Sequence, residues 1–402
     1  MKLMVIDGNS ILNRAYYGIR PLTTRDGLYT HAIFGFLTTL LRLEGEEAPD
    51  ALCVTFDVHA PTFRHQASEA YKATRKPMPE ELRMQVPVLK EVLDALNIPR
   101  YEMEGWEADD LIGTISVKDT AAGWATVIVT GDKDSLQLVT DTTTVKLVST
   151  RMGRTTTKDM TPDAFWEQYG FDPIHIVDLK ALMGDSSDNI PGVKGVGEKT
   201  AMALVQRYHS IDALYAAMPA PEMAPGTPAK PGVVKKLAEG EEMARMSYDL
   251  ATIHTDAPIE FDPEQNLCRE ADNDALYQLF LDLEFAKLID KYGLTAPQGE
   301  KKSAGETFDG SCVSETVDSR DRMEELLDLW RERDWVSVLA LPSLDVVAVA
   351  WDGGARAALC AADRLEGYNE LLRALFSGEI QKVSHNVKDL MHLLLDEGLS
   401  TD

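Results

Sequence analysis

Hydrophobic runs of two kinds alternate along the first half of the chain. Lys2 to Ile6, Ala51 to Phe56 and Thr126 to Thr130 are short and rich in β-branched residues. Continuous apolar runs of this length predict strands buried on both faces. Between them lie longer stretches with helical spacing. In PEELRMQVPVLKEVLDALNI the apolar residues Leu82, Val86, Leu89, Leu93 and Leu96 form one stripe, with Pro87 as a kink or restart. WEADDLIGTISVK reads as the start of another helix. Strand and helix in alternation predict an α/β fold, a mainly parallel sheet flanked by helices.

Later segments are read in the same way. IPGVKGVGEKTAMALVQRY is a glycine-punctuated turn that opens a helix, and MPAPEMAPGTPAKPG reads as a mobile surface loop. After LEFAKLIDKYGL the chain turns polar in TAPQGEKKSAGETFDGS, the composition of a linker between domains. Beyond it, WVSVLALPS and VVAVAWDGG predict strands, and ELLRALFSG and VKDLMHLLL predict helices. No internal repeat is evident.

Each of the first three strands ends in an acidic loop, at Asp7, Asp57 and Asp132. Ligand sites of open α/β sheets lie just outside the carboxyl ends of strands, so these acids should converge. Further acids cluster at Glu107, Asp109 and Asp110, at Asp134 beside Asp132, and at Asp185 and Asp188. On a helix Glu107 and Asp110 share a face, and Asp109 lies about 100° round from Asp110. Alone, the EADD run is equally a solvated first helical turn, GDKD a loop, and the glycine run only a turn. Gathered together, the carboxylates could not all ionise without cations, and hard divalent ions with oxygen ligands suit them. The pattern therefore points to a metal-dependent nuclease.

Composition changes this picture little. The 402 residues are 44% hydrophobic and 26% charged, ordinary for two or three globular domains, and no stretch has the roughly 18 apolar residues of a membrane span. A cytoplasmic protein is expected, with no membrane partner. Cys53, Cys268, Cys312 and Cys360 lack metal or redox spacing. The net charge of −26 argues against a nucleic-acid partner as an average, but basic residues are dense from Arg64 to Lys90 and recur at Lys194, Lys199, Lys235 and Lys236. Local potential can steer DNA in spite of the total.

In order, DGNSILNRAYY, FDVHAPTFRH, YKATRKPMPEEL, GWEADDLIGT, TGDKDSLQLV and LMGDSSDNIPGVKGVGEKTA resemble the 5′ nuclease (5′–3′ exonuclease, flap endonuclease-like) domain of bacterial DNA polymerase I. The resemblance covers residues 1 to about 290. It implies a PIN/flap-nuclease-like domain at 1–175 with a helical arch at about 62–90, and a helix-hairpin-helix DNA-binding part at 176–292. A linker at 293–317 and a partial RNase H-like, 3′–5′ exonuclease-like domain at 318–402 would follow. In that last part VSVLALPSLD lacks the Asp-x-Glu of an active proofreading strand, and VSHNVKDLMH has Asn386 but Leu390 where an acid would stand. It is therefore expected to be inactive. The chain also stops before any polymerase domain, which would be covalently linked in a longer parent.

The resemblance also assigns roles. Asp7, Asp57, Glu107 and Asp109 would hold a first Mg²⁺ or Mn²⁺, and Asp132, Asp134 and Asp185 a second, with Asp110 and Asp188 acting directly or through water. Lys72 and Arg75, with Asp110, would serve catalysis. Arg14, Arg64, Tyr71, Lys72, Arg75 and Lys76 would contact DNA near the cut, with Tyr71 stacking on an unpaired base and Tyr16 close by. Gly192, Lys194, Gly195, Gly197, Lys199 and Thr200 would hold its backbone. The substrate would be a 5′ flap, nicked or primer-bearing duplex, recognised by structure, in replication and repair at the bacterial nucleoid. Competing readings are a catalytically dead DNA-binding scaffold, a PIN-type ribonuclease, or a dehalogenase-like phosphatase, whose second acid after the first strand is missing from DGNS.

Overall fold

The computed structural model describes residues 1–58, 60–151, 154–296, 312–341, 343–384 and 387–399. The chain divides into two compact units, Met1–Pro297 and Gln298–Asp402. Among the described residues no helix is long and apolar enough to cross a membrane.

The first unit is built on a six-stranded sheet of β1 (Lys2–Asp7), β2 (Ala51–Thr55), β3 (Arg100–Tyr101), β4 (Ala125–Thr130), β5 (Thr143–Arg151) and β6 (Arg154–Met160), in the order β3-β2-β1-β4-β5-β6. Pairing is parallel from β3 through β5, and β6 closes one edge antiparallel to β5. Neighbouring strands end level with one another: Asp7 pairs with Thr55, and Ile6 with Val129. The loops after β1, β2 and β4 therefore open on the same edge.

Both faces of the sheet are covered, which is why its strands read as unbroken apolar runs. Alternate residues of β1 enter two different cores, Leu3 and Val5 one, Met4 and Ile6 the other. The second core is closed by α1 (Gly8–Gly18), α2 (His31–Glu47) and the later helix Gln85–Ala95, through Ile11, Phe36, Leu40, Leu89 and Leu93. After α3 (Phe63–Ala67) and α4 (Glu80–Arg83), the helix Gln85–Ala95 is α5. Pro87 sits in its first turn, where the missing N–H would have no helical partner, so the expected break is a restart at Gln85. The first core is closed by α6 (Ala108–Ala121), α7 (Pro162–Tyr169), α8 (Ile176–Met183) and α9 (Glu198–Tyr208).

Three expectations need correction. The segment foreseen as a helical arch is helical only at α3 and again from Glu80, with turns between, because Lys72 adopts a left-handed φ of 53° and Pro77 and Pro79 follow. The proline-rich stretch near residue 220, read as a mobile surface loop, carries a small hairpin, Glu222–Ala224 with Thr227–Pro228. Val313–Val317, counted with the linker, is an edge strand of the second unit.

The second unit has a five-stranded sheet in the order Lys382–Ser384, Val336–Ala340, Val346–Trp351, Arg356–Ala361, Val313–Val317. The three central strands form an antiparallel meander and both edge strands pair parallel. Its own core gathers Trp330, Val338, Val349, Leu371 and Phe376. Leu390 packs against that core from the last helix, and Asn386 lies outside the described residues.

Candidate active site

The acids arrive at the sheet edge because strand ends and helix starts coincide there. Asp7 is the last residue of β1 and the N-cap of α1, accepting the Ser10 amide at 3.0 Å and the Thr130 hydroxyl of β4 at 2.7 Å. Asp57, two residues beyond β2, accepts from Asn9 and from the Ala108 amide at the start of α6, both at 2.8 Å. Glu107 caps the approach to α6, with Asp109 one residue into it. Asp132 follows β4 and accepts the Asp134 amide at 2.9 Å. Asp185 and Asp188 sit in the turn after α8, where Asp185 and Ile190 exchange backbone hydrogen bonds at 2.8 Å.

A cleft of about 440 Å³ is lined by Asp7, Asp57, Asp109 and Asp132 on its floor and by Lys72, Arg75 and Lys76 on its wall. Asp134, Lys180 and Asp185 line an adjoining depression that shares Ser10 and Asp132 with it, and Arg14 borders this depression while bonding the Gly131 carbonyl. Glu107 lines a third, together with Asp57, Lys72 and Arg75.

Electrostatics follow from this crowding. Burial pushes Asp7 up to about 7, assisted by the neighbouring charges of Asp57 and Asp132. Burial likewise lifts Asp134 to about 7, with Asp132 adding repulsion, and Asp109 rises well above the usual carboxylate range from burial and the charges of Asp7 and Asp132. Asp185 goes the other way: burial opposes ionisation, but hydrogen bonds from Lys180 at 2.6 Å and from Ser187 outweigh it and hold the group at about 2. Lys180, which bonds both Asp134 and Asp185, is raised in turn, since its two carboxylates overcome the penalty of burial.

Several expected residues are placed elsewhere. Asp110 is fully buried and turned from the cleft, held by the guanidinium fork of Arg64 at 2.7 and 2.8 Å and by the amides of Glu107 and His254. Arg64 is 3% exposed, so neither side chain of this pair faces solvent. Tyr71 is 4% exposed and gives its hydroxyl to Glu107 at 3.1 Å, which leaves no face for a base to stack on. Lys72 bonds Glu107 at 2.8 Å, and Arg75 bonds Asp188. Gly192 is buried with φ 61° and donates its amide to Ser247, whereas Lys194, Gly195, Gly197 and Lys199 lie on the surface and Thr200 is half-buried on α9.

Lys180 was missed by sequence reasoning, although it is the lone basic residue of the helix IVDLKALM and stands five residues before Asp185. Asn9 and Gln137 were missed as well. The Gln137 side chain donates to the Asp134 and Ala251 carbonyls, contacts that no spacing announces.

A family profile described as 5′-3′ exonuclease, N-terminal resolvase-like domain, matches residues 2–170, and one described as 5′-3′ exonuclease, C-terminal SAM fold, matches residues 171–274. The chain belongs to the 5′–3′ exonuclease family. Among this family's curated members, DNA polymerase I of Caldicellulosiruptor bescii is 41% identical over 295 residues, 73% of this chain and 34% of that protein. DNA polymerase I of Bacillus subtilis is 39% identical over 316 residues, 79% of this chain and 35% of that protein. The chain thus spans about a third of the length of these relatives. Among solved structures, T5 5′-exonuclease with zinc bound shares the fold at TM-score 0.51 and 20% identity, over 71% of this chain and 99% of that one. The bacteriophage T5 flap endonuclease in complex with DNA and metal ions shares it at TM-score 0.51 and 20% identity, over 73% and 100%.

Proposed function

We propose that the first unit hydrolyses phosphodiesters at the 5′ side of DNA discontinuities, such as flaps, nicks and RNA primer ends, and leaves 5′ phosphates. The observation that carries this reading is the cleft with its adjoining depression: carboxylates from the ends of β1, β2 and β4 and from α6 share the first with Lys72, Arg75 and Lys76, and Asp132, Asp134 and Asp185 share the second with Lys180.

The donors Asp7, Asp57, Glu107, Asp109, Asp132, Asp134, Asp185 and Asp188 are all oxygen ligands, the chemistry that Mg²⁺ or Mn²⁺ prefers. Three of them, Asp7, Asp109 and Asp134, resist ionisation where they stand, and this is the penalty a bound cation removes. Among the described residues no three such side chains already converge as a bound ion requires. Instead Glu107, Asp134, Asp185 and Asp188 are turned to Lys72, Lys180 and Arg75, and would have to swing from these partners to take up an ion. Two ions held there would supply an activated water and a counter-charge for the leaving oxygen.

The chain's own residues have complementary parts. Lys72 and Arg75, once released from Glu107 and Asp188, would lie beside the scissile phosphate and offset its developing charge. Tyr71 and Asn9 would hold Glu107 and Asp57 in place. The surface amides and lysines of the 194–199 turn would bind a duplex backbone without reading its bases. The name of the curated relatives, DNA polymerase I, supports a setting beside DNA synthesis, and we assign the cutting there to primer removal and nick translation. We read the second unit as an inactive 3′–5′ exonuclease-like, RNase H-like fold, since Val336–Ala340 carries no acid.

The test is a 5′-labelled flap duplex incubated with the chain in Mg²⁺ or EDTA, beside Asp134→Ala. Metal-dependent cuts near the junction, lost in the variant, are expected. Binding without cutting would favour a scaffold and reject the nuclease.

A further inference from the structure

The helix Glu241–Ala251 packs along α8, and its C-terminal half is tied to residues that hold the cleft without any of its own residues entering it. At its C-terminus, where helix carbonyls lack internal partners, Arg64 donates to the Leu250 carbonyl at 3.1 Å and the Thr252 carbonyl at 2.5 Å. The Ala251 carbonyl between them accepts from Gln137 at 3.1 Å. These two side chains are themselves anchored beside acids of the site: Arg64 grips Asp110, next to Asp109 in the first turn of α6, and Gln137 bonds the Asp134 carbonyl at 3.0 Å. The extended segment that leaves the helix is held down as well, by the amides of His254 to Asp110 at 2.9 Å, Ile253 to Gln137 at 2.8 Å and Ala257 to Thr114 at 3.0 Å. It can lie this close to α6 only because Gly113 has no side chain, since a Cβ there would stand 2.8 Å from Ile253.

One turn before that clamp, Ser247, fully buried, accepts the Gly192 amide at 3.0 Å. Gly192 is the pivot of the glycine-rich turn between α8 and α9, and a Cβ there would meet the Gly184 backbone at 2.2 Å. The last turns of this helix, from Ser247 to Thr252, thus join the acid-bearing start of α6 and the Asp134 turn to the turn proposed to grip duplex DNA. Helices are stiff over this length, whereas loops are not, so such a link fixes a distance.

We propose that Glu241–Ala251 is a strut that sets the spacing between the duplex-gripping turn and the metal-binding cleft, with Ser247, Arg64 and Gln137 as positioning residues that decide which phosphodiester is cut. The proposal rests on the nuclease reading and goes beyond it, because it assigns cut-site register to residues that touch neither DNA nor metal.

Ser247→Ala removes the acceptor and leaves the buried Gly192 amide unpaired. Arg64→Lys keeps the charge but loses the fork that holds both Asp110 and the helix end. Each is compared with the parent chain on a 5′-labelled flap duplex with Mg²⁺, products being sized to single nucleotides and folding checked by thermal melting. The expected result is a shift of register: the share of product cut one or more nucleotides from the parent's main site rises at least threefold in each folded variant. An unchanged product ladder in either folded variant, even with slower cutting or a lower melting temperature, overturns the strut. A parent chain that does not cut at all refutes the nuclease reading instead, so the two failures are distinct.

Discussion

The two units each present a sheet with helices packed against it, yet the strand ends differ in kind. In the first, the strands β1, β2 and β4 run into Asp7, Asp57 and Asp132, and the space beyond them is a charged cleft. In the second, Val336–Ala340 ends without an acid, and the nearby hollow is lined mostly by apolar side chains such as Val338, Phe376, Leu390 and Leu394, with Lys382 and Ser384 beside them. Layered α/β architecture builds an edge where side chains can meet, and the residue placed just past each strand decides whether chemistry or mere packing results. A second contrast lies inside the first unit. Glu107 and Asp110 are three residues apart at the start of α6, but Glu107 lines an open depression with Asp57, Lys72 and Arg75, whereas Asp110 is spent on Arg64.

The largest effect should come from the charged side. Lys72→Ala is expected to slow flap cutting by about 10²–10³-fold, the scale of removing one electrostatic stabiliser, with the fold intact by circular dichroism. Single-turnover rates on the labelled flap duplex check it, and a loss below about threefold would remove Lys72 from the catalytic wall. The apolar side should respond in the opposite manner. Leu371→Ala empties a fully buried position of the second core and should cost about 2–5 kcal/mol there, while the cutting rate of the folded protein stays within about twofold. Thermal melting read beside the nuclease assay separates the two quantities. A rate that falls in step with stability would mean that the second unit serves the first.

The smallest effect concerns pH. Asp7 and Asp134 hold their protons to about 7 in the fold, against 3.8 ordinarily. The folded state therefore binds more protons than the unfolded chain between these values, and their contribution to stability is fully present below about pH 4 and lost as pH rises through about 7. In EDTA the melting temperature should fall by a few degrees between pH 5 and pH 8, and Mg²⁺ should restore more at pH 8 than at pH 5. A melting temperature that is flat in EDTA, or an equal gain from Mg²⁺ at both values, would show that burial and neighbouring charge do not hold these carboxylates protonated.

Much of this architecture can be read from local pattern. The strands β1, β2 and β4 were legible because burial on both faces demands unbroken β-branched runs, and Pro87 marked a restart because proline suits a first helical turn. The β5–β6 hairpin went unread, since Thr143–Met160 mixes threonines and charges, and its place in the sheet is set by β5 pairing parallel with β4 while β6 folds back antiparallel on β5. The acids of the cleft were legible through their positions after strands, but their partners were not. Lys180 on Asp134 and Asp185, Gln137 on Ala251 and Ser247 on Gly192 join residues whose separation in sequence carries no signal.

By itself the sequence determined the family, the parallel sheet and the identity of the acids at its edge, because local pattern and residue chemistry suffice for each. Only the tertiary structure decided which acids face the cleft. Asp110 and Asp109 are adjacent in the chain and alike in chemistry, yet a buried guanidinium from forty-odd residues away claims one and leaves the other to the site. Long-range packing assigns such partners, and no spacing rule along one chain can anticipate it.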